Sequence, residues 1–275
     1  MIESEMIEGR RARPGLVNSV MRQVAAPYGW WSYIVLLLGG LLVLAIITDP
    51  QYQASFEFIL PGVVMTFALT TISFTIALTI GLFVGLARVS KNQLFYNLST
   101  FYVETIRGVP ILVQLLYVAF VVFPALVDLF NSLGGDASIR DIDVAVRAIL
   151  GFSLAYGAFE AEVFRAGIES IDRGQMEAAR SLGMSYSQAM RYVILPQAFR
   201  RVLPPLGNDF IAMLKDTSLA SVLAVREITQ LSNLHRSRTF TTFEPLNVAT
   251  FLYLSMTLLL SRGVRYLERR LSPNE

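Results

Sequence analysis

Four long stretches of this sequence contain no charged residue at all, and they constrain the fold more than any other feature. They run over 30–48, 58–87, 108–127 and 245–261. A helix needs about 20 consecutive, mostly apolar residues to cross the hydrocarbon core of a bilayer. Charged residues make up only 16% of the chain, against about 25% in ordinary soluble domains. The sequence therefore predicts an all-α, polytopic membrane protein.

Two further segments are apolar but interrupted by charges. The segment 144–165 contains Arg147, Glu160 and Glu162, and the segment 202–225 contains Asp209, Lys215 and Asp216. Read as membrane helices with functional polar residues, they bring the predicted number of spans to six. The alternative is that both are ordinary buried or amphipathic helices.

The distribution of lysine and arginine predicts the orientation, because cytoplasmic loops carry the excess of these residues. With six spans, both termini lie on the same side. That side holds 17 lysines and arginines and the opposite side holds 5, with Lys215 inside a span. We therefore expect a multi-pass protein of the cytoplasmic (inner) membrane with cytoplasmic termini, including a cytoplasmic segment 1–29. The acidic loop around Asp136 and the loop around His235 then face outward.

The loop between the fourth and fifth predicted spans has a distinctive pattern. Glu177-Ala178-Ala179 is followed by Gly183 and, further on, by Leu195-Pro196. Good helix formers precede Gly183, which fits a helix end because glycine adopts the left-handed backbone easily.

Ser185 and Gln188 have the spacing of a capping box that opens a second helix. Pro196 ends that helix or begins the next element. The pattern predicts a compact helix–turn–helix, although a solvated amphipathic loop would also satisfy it.

This spacing resembles the signature loop of the permease subunits of ABC importers, with Val193 where isoleucine is usual. The resemblance implies that segment 171–196 is a coupling loop that docks into a separate ATPase subunit. It implies docking residues at Glu177, Ala178, Ala179 and Gly183. It also implies an ATPase dimer, a second permease subunit and an extracytoplasmic amino acid binding protein as partners, besides the amino acid and the lipid membrane.

Three other stretches resemble the polar amino acid permeases within that group. They are Glu104 to Gln114, Ala158 to Ile168 and Lys215 to Leu219. The resemblance covers about residues 59–268 and implies a type I, MetI-like transmembrane domain over 58–268. Since five core helices are common there, segment 30–48 is predicted to be an added anchor helix. The implied function is ATP-driven import of polar amino acids by alternating access.

The chain has only two lysines, Lys91 and Lys215, and neither belongs to a Gly-x-x-x-x-Gly-Lys-Ser/Thr loop. Since that loop holds nucleotide phosphates in P-loop proteins, we expect ATP hydrolysis on another polypeptide, no enzymatic activity and no cofactor in this one. No metal cluster or nucleic-acid motif is recognised. Ser153 is predicted to be a helix-packing residue, since small residues let membrane helices approach closely.

The fifth predicted span carries the candidate substrate pathway. Asp209, Ala212 and Asp216 share one helical face, and Asn208 and Lys215 lie on a neighbouring stripe. Charges inside spans usually face a partner or a water-filled cavity, so this face could bind the ammonium and carboxylate of an amino acid. The matching helix carries the substrate contacts in the permeases that this chain resembles. The alternative, left open, is that Lys215 only pairs with Asp209 or Asp216.

The carboxylates of the fourth span have two interpretations. Glu160 and Glu162 are expected to pair with Arg165 at the cytoplasmic end, and the alternative gives them a role in a cavity or gate.

A secondary transporter driven by an ion gradient is the competing function, but it leaves the coupling loop unexplained. A membrane scaffold would need no polar residues in its spans. Which amino acid is carried does not follow from the sequence.

Overall fold

The computed structural model describes residues 30–271, which leaves the predicted segment 1–29 and the last four residues outside the described part. The chain divides into two units after Asp49. In the first unit, α1 (Trp30–Thr48) is one apolar helix of 19 residues without a charge. Its bounds are those predicted for the anchor helix.

The second unit consists of helices joined by short turns. They are α2 (Pro50–Ile59), α3 (Pro61–Arg88), α4 (Gln93–Arg107), α5 (Ile111–Tyr117), α6 (Phe123–Ser132), α7 (Val144–Glu169), α8 (Arg173–Ser181), α9 (Tyr186–Ala189), α10 (Leu195–Asp216), α11 (Ile228–Thr239) and α12 (Phe243–Leu271). A π-helical turn, Val118–Val122, joins α5 to α6, and another, Met190–Ile194, joins α9 to α10. No strand is present between residues 30 and 271, so the all-α prediction is confirmed.

Several helices are long and apolar enough to cross a membrane. Within the described residues these are the segments Pro50–Arg88, Ile111–Ser132, Val144–Glu169 and Phe243–Arg270, and Ser32–Thr48 is a shorter apolar helix. The interrupted segment 144–165 therefore does form a helix of spanning length. The predicted span 202–225 starts too late, because α10 begins at Leu195. Its α-helical part ends at Asp216 and continues directly into a 3-10 helix, Thr217–Leu223. The total of six spans stays a prediction.

Large apolar side chains stand exposed on the long helices. Val64 and Phe83 of α3, Val113 of α5 and Leu259 of α12 each expose at least half of their surface. Many large exposed apolar side chains on long apolar helices indicate surfaces that contact something other than water. On helices of spanning length, the hydrocarbon core of a bilayer is the environment that matches it.

The helices α3 and α7 form the most extensive helix–helix contact of the second unit. A Cβ atom added at Gly81 would lie 2.4 Å from the Cβ of Glu160, so only glycine lets α3 approach α7 this closely. Ser153 is completely buried in the same interface, and its hydroxyl donates to the carbonyl oxygens of Ile149 and Ser73 at 2.6 and 3.2 Å. The predicted packing role of Ser153 is confirmed.

At one end of this pair, α11 is held by a buried carboxylate. Glu227 is fully buried and caps α11, accepting hydrogen bonds from the amides of Thr229 and Gln230 and from the Tyr253 hydroxyl at 2.8, 2.7 and 2.6 Å. The amide of Ile228 donates to the Thr66 hydroxyl of α3 at 3.4 Å. These bonds connect α11 to both α3 and α12, so the three helices are positioned together.

At the other end, a network of charges connects the helices. The Arg88 guanidinium donates to Glu162 at 2.6 Å and lies 3.6 Å from Glu104 of α4. Arg165 also pairs with Glu162, and it pairs with Glu169 at 2.5 Å. The expected pairing with Arg165 is thus right for Glu162. It is wrong for Glu160, which points away from this network and forms no ion pair among the described residues.

Candidate functional site

The predicted coupling loop folds as a helix–turn–helix. The α8 helix begins after Asp172, whose side chain accepts from the Gly174 amide at 2.6 Å. It ends where Gly183 takes a φ of +84°. The amide of Met184 donates to the carbonyl of Ala179, and that of Gly183 to the carbonyl of Arg180, at 3.2 and 3.0 Å. This pair of bonds defines a Schellman turn, so the prediction that Gly183 ends the helix is confirmed.

The second helix of the loop opens as its sequence predicts. The Gln188 amide donates to the Ser185 hydroxyl at 3.2 Å, and the Gln188 side chain accepts from the Ser185 amide at 2.8 Å. Both halves of the capping box are therefore present. Of the two predicted roles of Pro196, ending the second helix or beginning the next element, the structure confirms the second. The π-turn Met190–Ile194 leads directly into α10, and Pro196 occupies its first turn, where a missing amide hydrogen is tolerated.

The four predicted docking residues differ in exposure. Glu177, Ala178 and Gly183 are exposed, whereas Ala179 is only 4% exposed and packs inside the loop. Leu182, which the sequence analysis did not single out, is 82% exposed beside Gly183. An apolar side chain this exposed at a tight turn is available for a partner, and its position directly before the glycine was the signal that could have identified it.

The loop is attached to the long helices through an apolar cluster. Ile168 near the end of α7 and Ile171 after it pack with Ile194 and Ala198, and Met176 of α8 packs against this group. The Arg201 side chain of α10 donates to the Ser170 carbonyl at 2.5 Å. Packed side chains of this kind transmit displacement instead of absorbing it. Movement of the loop therefore reaches α7 and α10 directly.

The candidate substrate face lies on α10 and meets α7. Asp209, Ala212 and Asp216 are half-buried, while Asn208 and Lys215 on the adjacent stripe are exposed. The Tyr156 hydroxyl of α7 donates to Asp216 at 2.8 Å. Lys215 forms no ion pair with Asp209 or Asp216, both of which belong to the described residues. The structure thus brings the two carboxylates to α7 and leaves Lys215 apart from them.

Tyr156 and Glu160 are members of this face that the sequence analysis did not assign to it. Both are buried on α7, four residues apart, and therefore share one side of that helix. Tyr156 lies within electrostatic range of Glu160, Asp209 and Asp216. The signal in the sequence was the spacing of Tyr156 and Glu160. We missed it because Glu162 and Arg165 offered a simpler partner set.

Comparison with known proteins decides the family. Residues 77–273 match the family described as binding-protein-dependent transport system inner membrane component. The chain belongs to this family. It is therefore a transport permease subunit and a multi-pass protein of the inner membrane. The predicted family is confirmed, and nothing in these comparisons supports transport driven by an ion gradient.

The sequence similarity to known relatives covers most of the permease. It is 37% identical to the L-cystine transport system permease protein TcyB of Bacillus subtilis strain 168 over 228 residues, which is 82% of this chain and 92% of the relative. It is 37% identical to the glutamine transport system permease protein GlnP of Escherichia coli K12, over 78% of this chain and 92% of that one.

Solved structures agree with this assignment. A structure described as an amino acid ABC transporter with histidines superimposes with a TM-score of 0.67 at 36% identity, covering 78% of this chain and 94% of that one. The inward-facing MetNI methionine ABC transporter gives a TM-score of 0.63 at 17% identity over 79% and 97% of the two chains. The second likeness establishes the fold alone, and it is the MetI-type permease fold that the sequence predicts.

Proposed function

We propose that this permease imports amino acids across the inner membrane, driven by ATP hydrolysis on a separate subunit. The observation that carries the proposal is the coupling loop, which presents Glu177, Ala178 and Gly183 on a rigid turn packed onto α7 and α10. The relatives support the substrate class, since their names assign them to L-cystine, glutamine and arginine transport.

The proposal includes the organisation of the chain and its partners. Residues 30–48 form an anchor helix and residues 58–268 the transmembrane permease domain, with the loop 171–196 and both termini cytoplasmic. The loop docks on one subunit of an ATPase pair, and Ala179 supports the turn from inside. A second permease completes the pathway, and an extracytoplasmic binding protein delivers the amino acid.

The proposed cycle is alternating access between two states. Closure of the ATPase pair on ATP draws the coupling loops together and opens the spans outward, and hydrolysis returns them inward. The amino acid passes the face formed by Asn208, Asp209, Ala212, Lys215 and Asp216. This role is supported by the half-buried carboxylates at the α7–α10 contact.

Uptake by vesicles containing the purified transporter and its binding protein tests the proposal. We expect accumulation of a radiolabelled amino acid that requires ATP and stops when the ATPase subunit carries a hydrolysis-dead substitution. Cysteine placed at Gly183 should crosslink to the ATPase subunit. Uptake that continues with the inactive ATPase would refute the proposed function.

A further inference from the structure

The Glu160 carboxyl group is buried without any compensating contact. Its side chain is completely inaccessible, and neither carboxyl oxygen has a hydrogen-bond partner among the described residues. Burying a carboxyl group without a hydrogen bond destabilises the fold. Such groups inside spans usually serve function.

The surroundings of Glu160 are apolar on one side and acidic on the other. Phe74 and Ala77 of α3 and Met213 of α10 belong to the same buried layer as Tyr156, one turn away. The carboxyl group of Asp209 is close enough for the two to interact electrostatically. Asp216, which accepts the hydrogen bond from Tyr156, adds a third carboxyl group to the contact between α7 and α10.

The cations nearby are engaged elsewhere or point away. Arg88 and Arg165 are paired with Glu162, and Arg107 lies over the ring of Phe159, with its guanidinium carbon 5.6 Å from the ring centroid. Lys215 is exposed and lies apart from the carboxylates. No described side chain therefore pairs with Glu160, and its carboxyl group has no cationic partner in this conformation.

We propose that Glu160 selects basic amino acids by binding the cation of their side chain during passage. A zwitterion brings one ammonium and one carboxylate, and Asp209 or Asp216 can take the ammonium. The third carboxyl group, once ionised, can pair with a second cation, which the guanidinium of arginine or the ammonium of lysine supplies. The inference rests on the proposed function and specifies its substrate class.

The buried position of Glu160 fits a pathway that opens only during the cycle. In the conformation described here, α7 and α10 are closed on each other. When they separate, the carboxyl group gains a cationic partner and the cost of its burial is removed. A neutral substrate leaves it unpaired, so the same residue favours one class and disfavours the other.

Arginine and citrulline provide the direct test, because they have nearly the same shape and differ in side-chain charge. Binding is measured by calorimetry on the whole transporter, purified in nanodiscs through a tag on this chain and without its binding protein. A charge-assisted contact is worth about tenfold or more in affinity. We expect arginine to bind at least about tenfold more tightly than citrulline. Equal affinities for arginine and citrulline in the unmodified transporter overturn the inference. This measurement uses no variant, so its outcome does not depend on whether a variant folds.

Substitution then assigns the preference to this residue. Glu160→Gln should remove the preference for arginine over citrulline in the same binding measurement. Glu169→Gln, an exposed carboxylate on the same helix, serves as the matched control and should keep the preference. A Glu160→Gln transporter that still prefers arginine contradicts the inference. Absence of ATP-dependent uptake of every amino acid in the unmodified transporter would instead contradict the proposed function.

Discussion

Gly81 and Gly183 illustrate how single residues determine this fold in two different ways. Gly81 is required by space, since the missing Cβ lets α3 lie against Glu160 of α7. Gly183 is required by backbone geometry, because its φ of +84° is left-handed. Space is not the reason, since nothing lies within 4 Å of the position where its Cβ would be. Substitution by alanine separates the two effects.

Gly81→Ala should destabilise the permease by about 1–3 kcal/mol, because the new methyl group overlaps α7 and forces the two helices apart. Gly263→Ala is the matched control, since that helical glycine has open space around its Cβ position. There the better helix propensity of alanine should leave stability unchanged or raise it by up to about 1 kcal/mol. Melting temperatures of the purified variants in detergent measure both, and equal values would contradict the packing argument.

Gly183→Ala should disturb the coupling loop, because a left-handed backbone costs a non-glycine residue about 1–2 kcal/mol. We expect ATP-dependent uptake to fall about fivefold or more. Gly134 has a φ of +95° and open space, and it lies in the loop after α6. Gly134→Ala thus imposes the same backbone strain and should leave uptake near the unmodified level. Equal losses of uptake in the two variants would show that strain alone, and not the loop, is responsible.

Residue-level predictions succeeded where the determinant is local. Gly183 and the Ser185–Gln188 capping box were predictable, because their partners lie within five residues along the chain. Glu160 was assigned wrongly, because its environment is made by α3 and α10, which are far away in sequence. Spacing on one helix shows which residues share a face but not what that face meets.

Among the helices, the pairing of Arg88 and Arg165 with Glu162 joins α3 to α7. Glu162→Gln should destabilise the permease by about 1–3 kcal/mol, because Arg88, whose side chain is only 10% exposed, loses its 2.6 Å partner. Glu169→Gln removes a half-exposed carboxylate from the same helix and should cost at most about 0.5 kcal/mol. Thermal unfolding of both variants measures these losses of stability. Similar losses for Glu162→Gln and Glu169→Gln would contradict the argument that burial of Arg88 makes its ion pair important.

Glu227 predicts a pH dependence at the α11 contact. Burial raises the pKa of this carboxyl group, and the hydrogen bonds from Tyr253, Thr229 and Gln230 oppose the rise. Because the folded state holds the proton more tightly than the unfolded state, this group stabilises the fold below the unfolded pKa of about 4.3. That contribution is lost as the pH rises through the folded pKa.

Unfolding of the permease at a series of pH values measures the effect. The melting temperature of the unmodified permease, relative to that of Glu227→Gln, should fall as the pH rises above about 4.3. Tyr253→Phe removes one of the hydrogen bonds that lower the pKa, so it should move this fall to higher pH. Parallel curves of melting temperature against pH for the unmodified permease and Glu227→Gln would contradict this. They would show that the pKa of Glu227 is the same in the folded and unfolded states.

Apolar runs predicted the positions of α1 and of the charge-interrupted α7 better than that of α10. The bounds of α1 follow directly from its sequence, whereas α10 begins seven residues before the predicted span. The preceding π-turn and Pro196 make helix and loop continuous there. We did not anticipate α4, since Gln93–Arg107 is amphipathic and too polar to read as a span. Tertiary contacts with α3 and α7 stabilise such helices more than their propensity does.

For the molecule as a whole, the absence of cysteine allows a direct test of orientation. Leu182 in the coupling loop and Leu133 after α6 are 82% and 80% exposed, and the unmodified chain has no thiol. A membrane-impermeant maleimide should label Leu182→Cys only from the cytoplasmic side and Leu133→Cys only from outside. Labelling of Leu182→Cys in intact cells would reverse the proposed topology.

The two prolines inside α10 give the whole molecule a place to bend. Pro204 and Pro205 interrupt the backbone hydrogen bonds between the coupling loop and the acidic face. Asp216 lies 11 residues beyond Pro205, so it stands about 16 Å along the axis. A change of about 10° in the angle at this hinge sweeps its carboxylate sideways by about 3 Å. That is enough to break the 2.8 Å bond from Tyr156, so a small angular movement of the coupling loop can decide whether the acidic face is closed or free.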